Sequence, residues 1–392
     1  MSVPVSPLLD PRSTTLDERR RGVIERVSAA ERAHILALPS DDPLDPKRRF
    51  RVEATGPELF GQPDAIRATL ASNETALDAV AARLAGGFRR LVLVGAGDSL
   101  AVMIAARSAL ESMLHVPCEP VQSLEFAYYQ GALVDGTTAV VALSSSGETT
   151  RTVEALLVAQ HRGAYTVALT NTAGSTLETE ASTALRIEAT RVGWPTQSST
   201  AALALLLELA VRVGELRGAP GADALREALD AMPATMAAVL QRIDAPIAAI
   251  AEQELAAPTV LFSGGGPNLA AAVVGAAKVK ECTPLRATEI QVEEYHHYNS
   301  QKAGEALVLL VPSGPSVPRA VDTGTDAHRW GGRLHVVTTE GERAFDALHP
   351  ESLIALPAVP EALSPLLYLL PAQLVGYHLG LAGFRAAEAA GA

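Results

Sequence analysis

Thr138-Ala139-Val140-Val141-Ala142-Leu143 is a short apolar run that empties into Ser144-Ser145-Ser146-Gly147-Glu148-Thr149. Behind that turn, Thr150 to His161 carries Val153, Leu156, Leu157 and Ala159 at helical spacing. The pattern predicts a buried strand, a hydroxyl-rich turn and a helix, which is the grammar of an α/β protein. The turn then sits at a strand's carboxyl end and a helix's amino end. Backbone N–H groups and the positive end of the helix dipole favour an anion there, and Ser144, Ser146 and Thr149 can add hydroxyl donors. The turn has no lysine, so it is not a GxxxxGK[ST] loop, and a phosphate held here is a passenger rather than a group in transfer. Ser and Thr are also ordinary helix caps, so the turn taken alone leaves capping and binding both open.

The same grammar recurs along the chain. Arg90 to Val94 reads as a strand, followed by Gly95-Ala96-Gly97-Asp98-Ser99 and an Ala-rich helix to about Leu114. Leu100 stands where GxGxxG needs its third glycine, which weakens a dinucleotide reading. Ser99 can cap that helix or face a ligand. Further strands are expected at Cys118–Val121, Thr166–Leu169 and Ala184–Ile187, mostly separated by helical segments. Such alternation predicts a parallel, doubly wound sheet with ligands outside the carboxyl ends of its strands, so that Ser99 and Ser144 to Thr149 converge on one crevice. Thr196 to Thr200 opens another Ala/Leu-rich helix, to about Val213, that can close it.

Gly218 to Gly221 is a small-residue boundary, followed by expected helices at Ala222–Met232 and Met236–Glu254. A strand at Pro258–Ser263, a turn at Gly264–Asn268 and a helix at Leu269–Glu281 then echo residues 90 to 114. The echo predicts two related domains rather than a repeat array. In the second half the strand Leu307–Val311 leads into Pro312-Ser313-Gly314-Pro315-Ser316, whose prolines remove donors that a phosphate cradle would use. One phosphate site is therefore expected, in the first half. The expected organisation is an arm at 1–55, one flavodoxin-like domain at 56–217 and a second at 222–392.

Composition narrows the class. Of 392 residues, 48% are hydrophobic and only 4% aromatic, which suits helices packed on buried strands. A net charge of -12 argues against a general nucleic-acid binder. Arg19-Arg20-Arg21 has acidic neighbours on both sides and reads as a solvated face of a helix from Leu16 to Leu38. Pro4, Pro7, Pro11, Pro39, Pro43 and Pro46 punctuate the arm around it. Asp10, Asp17, Glu18 and Glu25 interrupt the Arg-rich start, which transit peptides avoid, and the amino terminus lacks the charged-then-apolar order of a signal peptide. No contiguous apolar run reaches the ~18 residues of a membrane span. Cys118 and Cys282 form neither a disulfide scaffold nor a CxxC pattern. The expectation is a soluble cytoplasmic protein without metal, cofactor, nucleic-acid or membrane partner.

On these residues the chain resembles the sugar isomerase (SIS) family, in the two-domain form of the isomerase half of glucosamine-6-phosphate synthase, over about Glu58 to Gly380. The family's GTS turn is matched by Gly97-Asp98-Ser99, its SQSGET loop by Ser144 to Thr149, and its VASTK helix start by Gln197 to Ala201. Its EGALKLKE helix aligns with Val274 to Glu281 and, without a gap, its GELKHG segment with Glu293 to Tyr298. The resemblance implies that Ser99, Ser144, Ser146 and Thr149 hold a sugar phosphate, with Ser145 in place of the family's glutamine. It implies that Ser199 and Thr200 line the sugar and that Lys278 reaches it. Glu281 would be the base that moves a proton between C1 and C2. His297, supplied by a neighbouring subunit, would assist ring opening, which implies a homodimer with shared sites.

The chemistry suits those residue types. A proton shift between adjacent carbons needs one carboxylate that takes and returns it, and ring opening needs a second group near neutrality. A glutamate at the end of an Ala-rich helix can also be a solvated partner of a lysine one turn away. His296 and His297 can be a surface pair or metal ligands, although adjacent side chains make a poor chelate. Residue 2 is Ser2 and about 55 residues precede the first domain, so glutamine-dependent amination is not expected. The family's PRNLAKS tail has no counterpart, and Tyr298-Asn299 replaces the Gly-Pro after its histidine. Two functions follow: an isomerase, deaminase or deglycase acting by enolisation, or a sugar-phosphate sensor that has lost turnover.

Overall fold

The computed structural model describes residues 16–391 apart from 41 and 43. Ser2, Pro4, Pro7, Asp10, Pro11 and Pro43 lie outside the described residues. Helices α1 (Glu18–Ile35), α2 (Pro46–Phe60), α3 (Gln62–Ser72) and α4 (Glu74–Ala85) precede strand β1 (Arg90–Gly95). The first half continues through α5 (Asp98–Leu114), β2 (Cys118–Gln122), the short α6 (Ser123–Glu125), β3 (Thr138–Leu143) and α7 (Thr150–His161). It closes with β4 (Tyr165–Thr170), α8 (Thr176–Glu180), β5 (Thr183–Arg186) and α9 (Gln197–Arg217). The second half holds α10 (Ala222–Glu254), β6 (Val260–Gly264), α11 (Leu269–Cys282), β7 (Ala287–Gln291) and β8 (Ala306–Leu310). It ends with α12 (Val317–Arg329), β9 (Arg333–Thr339), β10 (Ser352–Leu356) and α13 (Pro365–Ala389).

Each half builds one parallel five-stranded sheet, ordered β2-β1-β3-β4-β5 and β10-β9-β8-β6-β7. Read from its own first strand, the second sheet has the order of the first, so the duplication expected from the glycine turns extends to the whole topology. Both orders are flavodoxin-like, with a switch point beside the first strand of each half. The central strands are covered on both faces: all six residues of β3 and all five of β8 are buried. That burial is why these segments read as unbroken apolar runs. One core cluster joins residues of both halves, with α5 against α11, α9 against α3, α4 and α5, and α13 against α10 and α11.

The structure differs from the sequence reading in three places. The join expected at residues 55 and 56 falls inside α2, which starts at Pro46 because Asp45 caps it, Oδ1 accepting from the Lys47 amide at 2.8 Å. The break expected near Pro233 is absent: α10 runs through Pro233 and Pro246, with Leu229, Met232, Met236 and Val239 buried on either side of the first. Tertiary packing there outweighs the ~3 kcal/mol that proline costs inside a helix. Finally, Ala222–Glu254 and Glu361–Ala389 are both long and apolar enough to cross a membrane by length and composition, although polar residues interrupt both. In the second, 78% of the apolar window is buried within the fold, as befits a core helix.

Candidate functional site

The turns after β1 and β3 meet at the first sheet's switch point, where they line a cavity of about 290 Å³. Ser99, Ser145, Ser146, Thr149 and Ser199 line it from the first half, and Ala277 and Glu281 from α11 of the second. The hydroxyl loop is held by its own side chains. Ser144 Oγ is 2.9 Å from Thr149 Oγ1 and 3.3 Å from Ser146 Oγ, and it accepts the Gly147 amide at 3.1 Å. Gly147 has φ of 67°, and a Cβ there would lie 2.1 Å from Ser175 Oγ, so both backbone and space require glycine. Ser145 Oγ is buried and makes no hydrogen bond among the described residues. The Ser145 carbonyl accepts from Arg191 Nη1 at 3.2 Å, which ties that arginine to the loop. At the start of α7 the Thr150 amide donates to Glu31 Oε2 at 3.2 Å, so α1 satisfies one of that helix's free N–H groups.

The charged end of the cavity is a triad shared between the halves. Lys278 is 1% exposed, with Nζ 2.8 Å from Asp98 Oδ2 and in contact with Glu281 Oε2. Asp98 Oδ2 also accepts from Ser199 Oγ at 3.5 Å. Gly376 makes this arrangement possible: a Cβ there would lie 2.6 Å from the Lys278 backbone, so α13 supports α11 directly beneath the lysine. Burial pushes the Glu281 carboxyl above its ordinary 4.5, the Lys278 ammonium opposes the rise, and the Asp98 carboxylate adds to it. Burial works to lower the Lys278 ammonium, but Asp98 and Glu281 outweigh it and hold it above its ordinary range. The raised carboxyl is therefore braced by a cation that stays charged.

The site residues expected from sequence are not all placed alike. Ser99, Ser145, Ser146, Thr149, Ser199 and Glu281 share the cavity wall. Ser144 is buried inside the loop it organises. Thr200 is also buried, its hydroxyl donating to the Thr196 and Gln197 carbonyls at 3.2 Å, so it serves its own helix instead of lining the cavity. Lys278 lies behind Glu281, not on the wall, because its two carboxylates hold it there. His297 is 55% exposed on the turn after β7, its Nε2 3.3 Å from Glu293 Oε1, and it is not among the cavity-lining residues of its own chain. His296 faces Asp326 and Thr323 instead, at 3.1 and 3.0 Å, so the adjacent rings engage different partners. Sequence reasoning missed Asp98, Arg51 and Arg191. Asp98 stood inside the glycine turn it had singled out.

The corresponding crevice of the second half is different. There the Glu361 carboxylate approaches the turns after β6 and β8, and a Cβ on Gly314 would lie 3.3 Å from its Oε2. A protein carboxylate facing those turns repels an anion, in addition to the donors that Pro312 and Pro315 remove.

Comparison with known proteins agrees with this fold. Residues 88–212 match the family model described as SIS domain. The chain is 30% identical over 338 residues to the glutamine–fructose-6-phosphate aminotransferase [isomerizing] of Yersinia pseudotuberculosis, a match covering 83% of this chain and 55% of that protein. The chain thus spans about half the length of the curated relatives it matches. The solved C-terminal domain of glucosamine-fructose-6-phosphate aminotransferase from Francisella tularensis shares the fold, with a TM-score of 0.75 at 21% identity over 83% of this chain and 95% of that one. Glucosamine-6-phosphate deaminase from Thermotoga maritima shares it with a TM-score of 0.64 at 17% identity, over 83% of this chain and 94% of that one. Family match, relatives and paired flavodoxin-like sheets agree: residues 88–212 carry an SIS domain, and the two-sheet fold around it is that of the solved structures the chain resembles.

Proposed function

We propose that this protein binds a phosphorylated sugar or amino sugar at the first sheet's switch point and moves a proton between two of its adjacent carbons. The reaction is aldose–ketose isomerisation, or a deamination or deglycation that begins with the same enolisation. The observation that carries this reading is the Glu281 carboxyl, raised by burial, in one cavity with the hydroxyl loop. The phosphate rests on Ser99, Ser145, Ser146 and Thr149, in a loop that Ser144 organises, and Ser199 faces the sugar. Ionised Glu281 takes the proton from the carbon beside the carbonyl, and the electron pair moves onto the carbonyl oxygen to give an enediolate, or the corresponding amino-substituted enolate with an amino sugar. The protonated carboxyl then returns the proton to the former carbonyl carbon, while the adjacent hydroxyl or amino group passes its proton to the enolate oxygen and becomes the new carbonyl or imine. A base raised toward neutrality takes and returns a proton with less mismatch, while Lys278 keeps it ionised between turnovers. His297 of a partner subunit assists ring opening in a homodimer with shared sites.

One observation favours a second reading. With His297 exposed and away from the cavity of its own chain, a single chain brings the carboxylates Asp98 and Glu281 to the cavity but, among the described residues, no histidine to open the ring, which is what a phosphosugar sensor needs. Turnover and binding of a panel of hexose and hexosamine phosphates, measured on the wild type, Glu281→Gln and Ser146→Ala, separate the two. The enzyme reading expects Glu281→Gln to bind without turnover and Ser146→Ala to bind weakly. Full turnover by Glu281→Gln would remove the base assignment. Binding without any wild-type turnover would establish the sensor.

A further inference from the structure

A second cavity, of about 560 Å³, opens beside the first and shares Arg191 and Pro195 with it. Its described lining includes three cations, Lys47, Arg51 and Arg191, and no carboxylate. That is an unusual wall for a chain of net charge -12. Leu38 and Phe50 add apolar surface that is 41% and 60% exposed. Two of the cations are held in place. Arg51 stacks over the Trp194 ring at 3.6 Å and donates to the Gly193 carbonyl at 3.2 Å, while Arg191 donates to the Ser145 carbonyl of the hydroxyl loop. Arg51 also faces the first cavity electrostatically, because its charge acts to lower the Glu281 pKa. The two cavities therefore adjoin, with Arg191 and Pro195 in the wall of both, the carboxylate base and the hydroxyl loop in one and a cationic, partly apolar chamber in the other.

We infer that the second cavity is a subsite for a substituent on the sugar that carries its own anionic group. The inference rests on the phosphosugar reading above: with the sugar phosphate on the hydroxyl loop, the rest of the substrate extends past Arg191 and Pro195. Three cations suit a second anion, and Phe50 and Leu38 suit the hydrocarbon that joins it to the sugar. The shared chemistry is a doubly anionic phosphosugar, and its second charge can be the carboxylate of an attached amino acid or a second phosphate.

The test is calorimetric titration of the full chain with three probes: fructose 6-phosphate, the same sugar phosphate bearing glycine through nitrogen at C1, and fructose 1,6-bisphosphate. In the wild type, at least one doubly anionic probe should bind about tenfold tighter than fructose 6-phosphate, the gain expected from a few partly exposed charge contacts. The probe that gains identifies the second group as carboxylate or phosphate. Lys47→Glu, a change on the rim of the second cavity, should remove most of that gain and leave fructose 6-phosphate binding unchanged. Phe50→Ala should remove part of it for the glycine conjugate. The advantage should also shrink as salt is raised. Equal binding of all three probes to the wild type, or a gain that survives Lys47→Glu, would overturn the subsite. A conjugate bound through Lys47 with no binding of fructose 6-phosphate would support the subsite and overturn the hydroxyl-loop reading. Binding of none would overturn both.

Discussion

Replacing Lys278 with methionine keeps most of the stem's volume and removes the one charge that Asp98 and Glu281 share. The Lys278–Asp98 contact is 2.8 Å, and a unit pair at that distance interacts by about 6 kcal/mol at an effective dielectric of about 20. The desolvation cost of the buried ammonium offsets part of this, and removing one partner of a buried pair typically costs about 3–5 kcal/mol. Asp98 and Glu281 retain 16% and 28% exposure, so the lower end, about 3 kcal/mol, is expected. The variant then holds two partly buried carboxylates without their counter-ion, and Glu281, already raised, loses the ammonium that opposed the rise. A carboxylate raised in the folded state supports stability fully below its unfolded pKa and loses that support as pH rises through the folded value. The deficit of Lys278→Met should therefore be small near pH 4 and approach its full size by about pH 8. Urea unfolding of both proteins across that range measures it. Adding Asp98→Asn should restore part of the loss, since the two sites share one network. A variant within about 1 kcal/mol of the wild type at about pH 8, or a deficit that grows toward acid, would refute the reasoning.

Ser146→Ala should weaken binding of a hexose phosphate by about tenfold, the worth of about one hydrogen bond to a charged group, and cost no more than about 1 kcal/mol in unfolding for the Glu148 amide it leaves to solvent. Gly147→Ala must place a Cβ on Ser175 at a φ of 67°, and should cost about 2 kcal/mol or more in stability and abolish phosphate binding, both read by thermal shift with and without the sugar phosphate. Because Glu281 must be ionised to accept a proton, kcat/KM should fall as pH drops through its raised pKa, above the ordinary 4.5. Asp98→Asn removes one of the causes of that rise, so the acid limb should move to lower pH; an unchanged limb would contradict the electrostatic assignment.

Much of the fold was legible because parallel strands covered on both faces announce themselves as short apolar runs, as Thr138–Leu143 and Leu307–Val311 did. The glycine turns at 95–97 and 264–266 made the duplication visible. The later strands were not read: β7 and β10 carry exposed or half-buried residues at sheet edges, so neither has an unbroken apolar pattern. Helix α13 was missed because buried helices lack the polar face that marks amphipathic ones. In the site, the hydroxyl loop was legible as local sequence. The partnership of Asp98 with Lys278 was not, since 180 residues separate them and only the packing of α5 on α11 joins them. Arg51 and Arg191 reach the second cavity from α2 and the segment after β5, with no local motif to mark either one.

Solvent deuterium uptake reads the proposed chemistry without knowledge of the product. Hexose and hexosamine phosphates incubated in heavy water with the wild type and with Glu281→Gln would be followed by mass spectrometry. The account predicts uptake at a carbon-bound position of at least one sugar phosphate with the wild type, and none with Glu281→Gln although that sugar still binds. Equal uptake with both proteins would contradict Glu281 as the base. No uptake with the wild type from any sugar that binds it would contradict enolisation altogether.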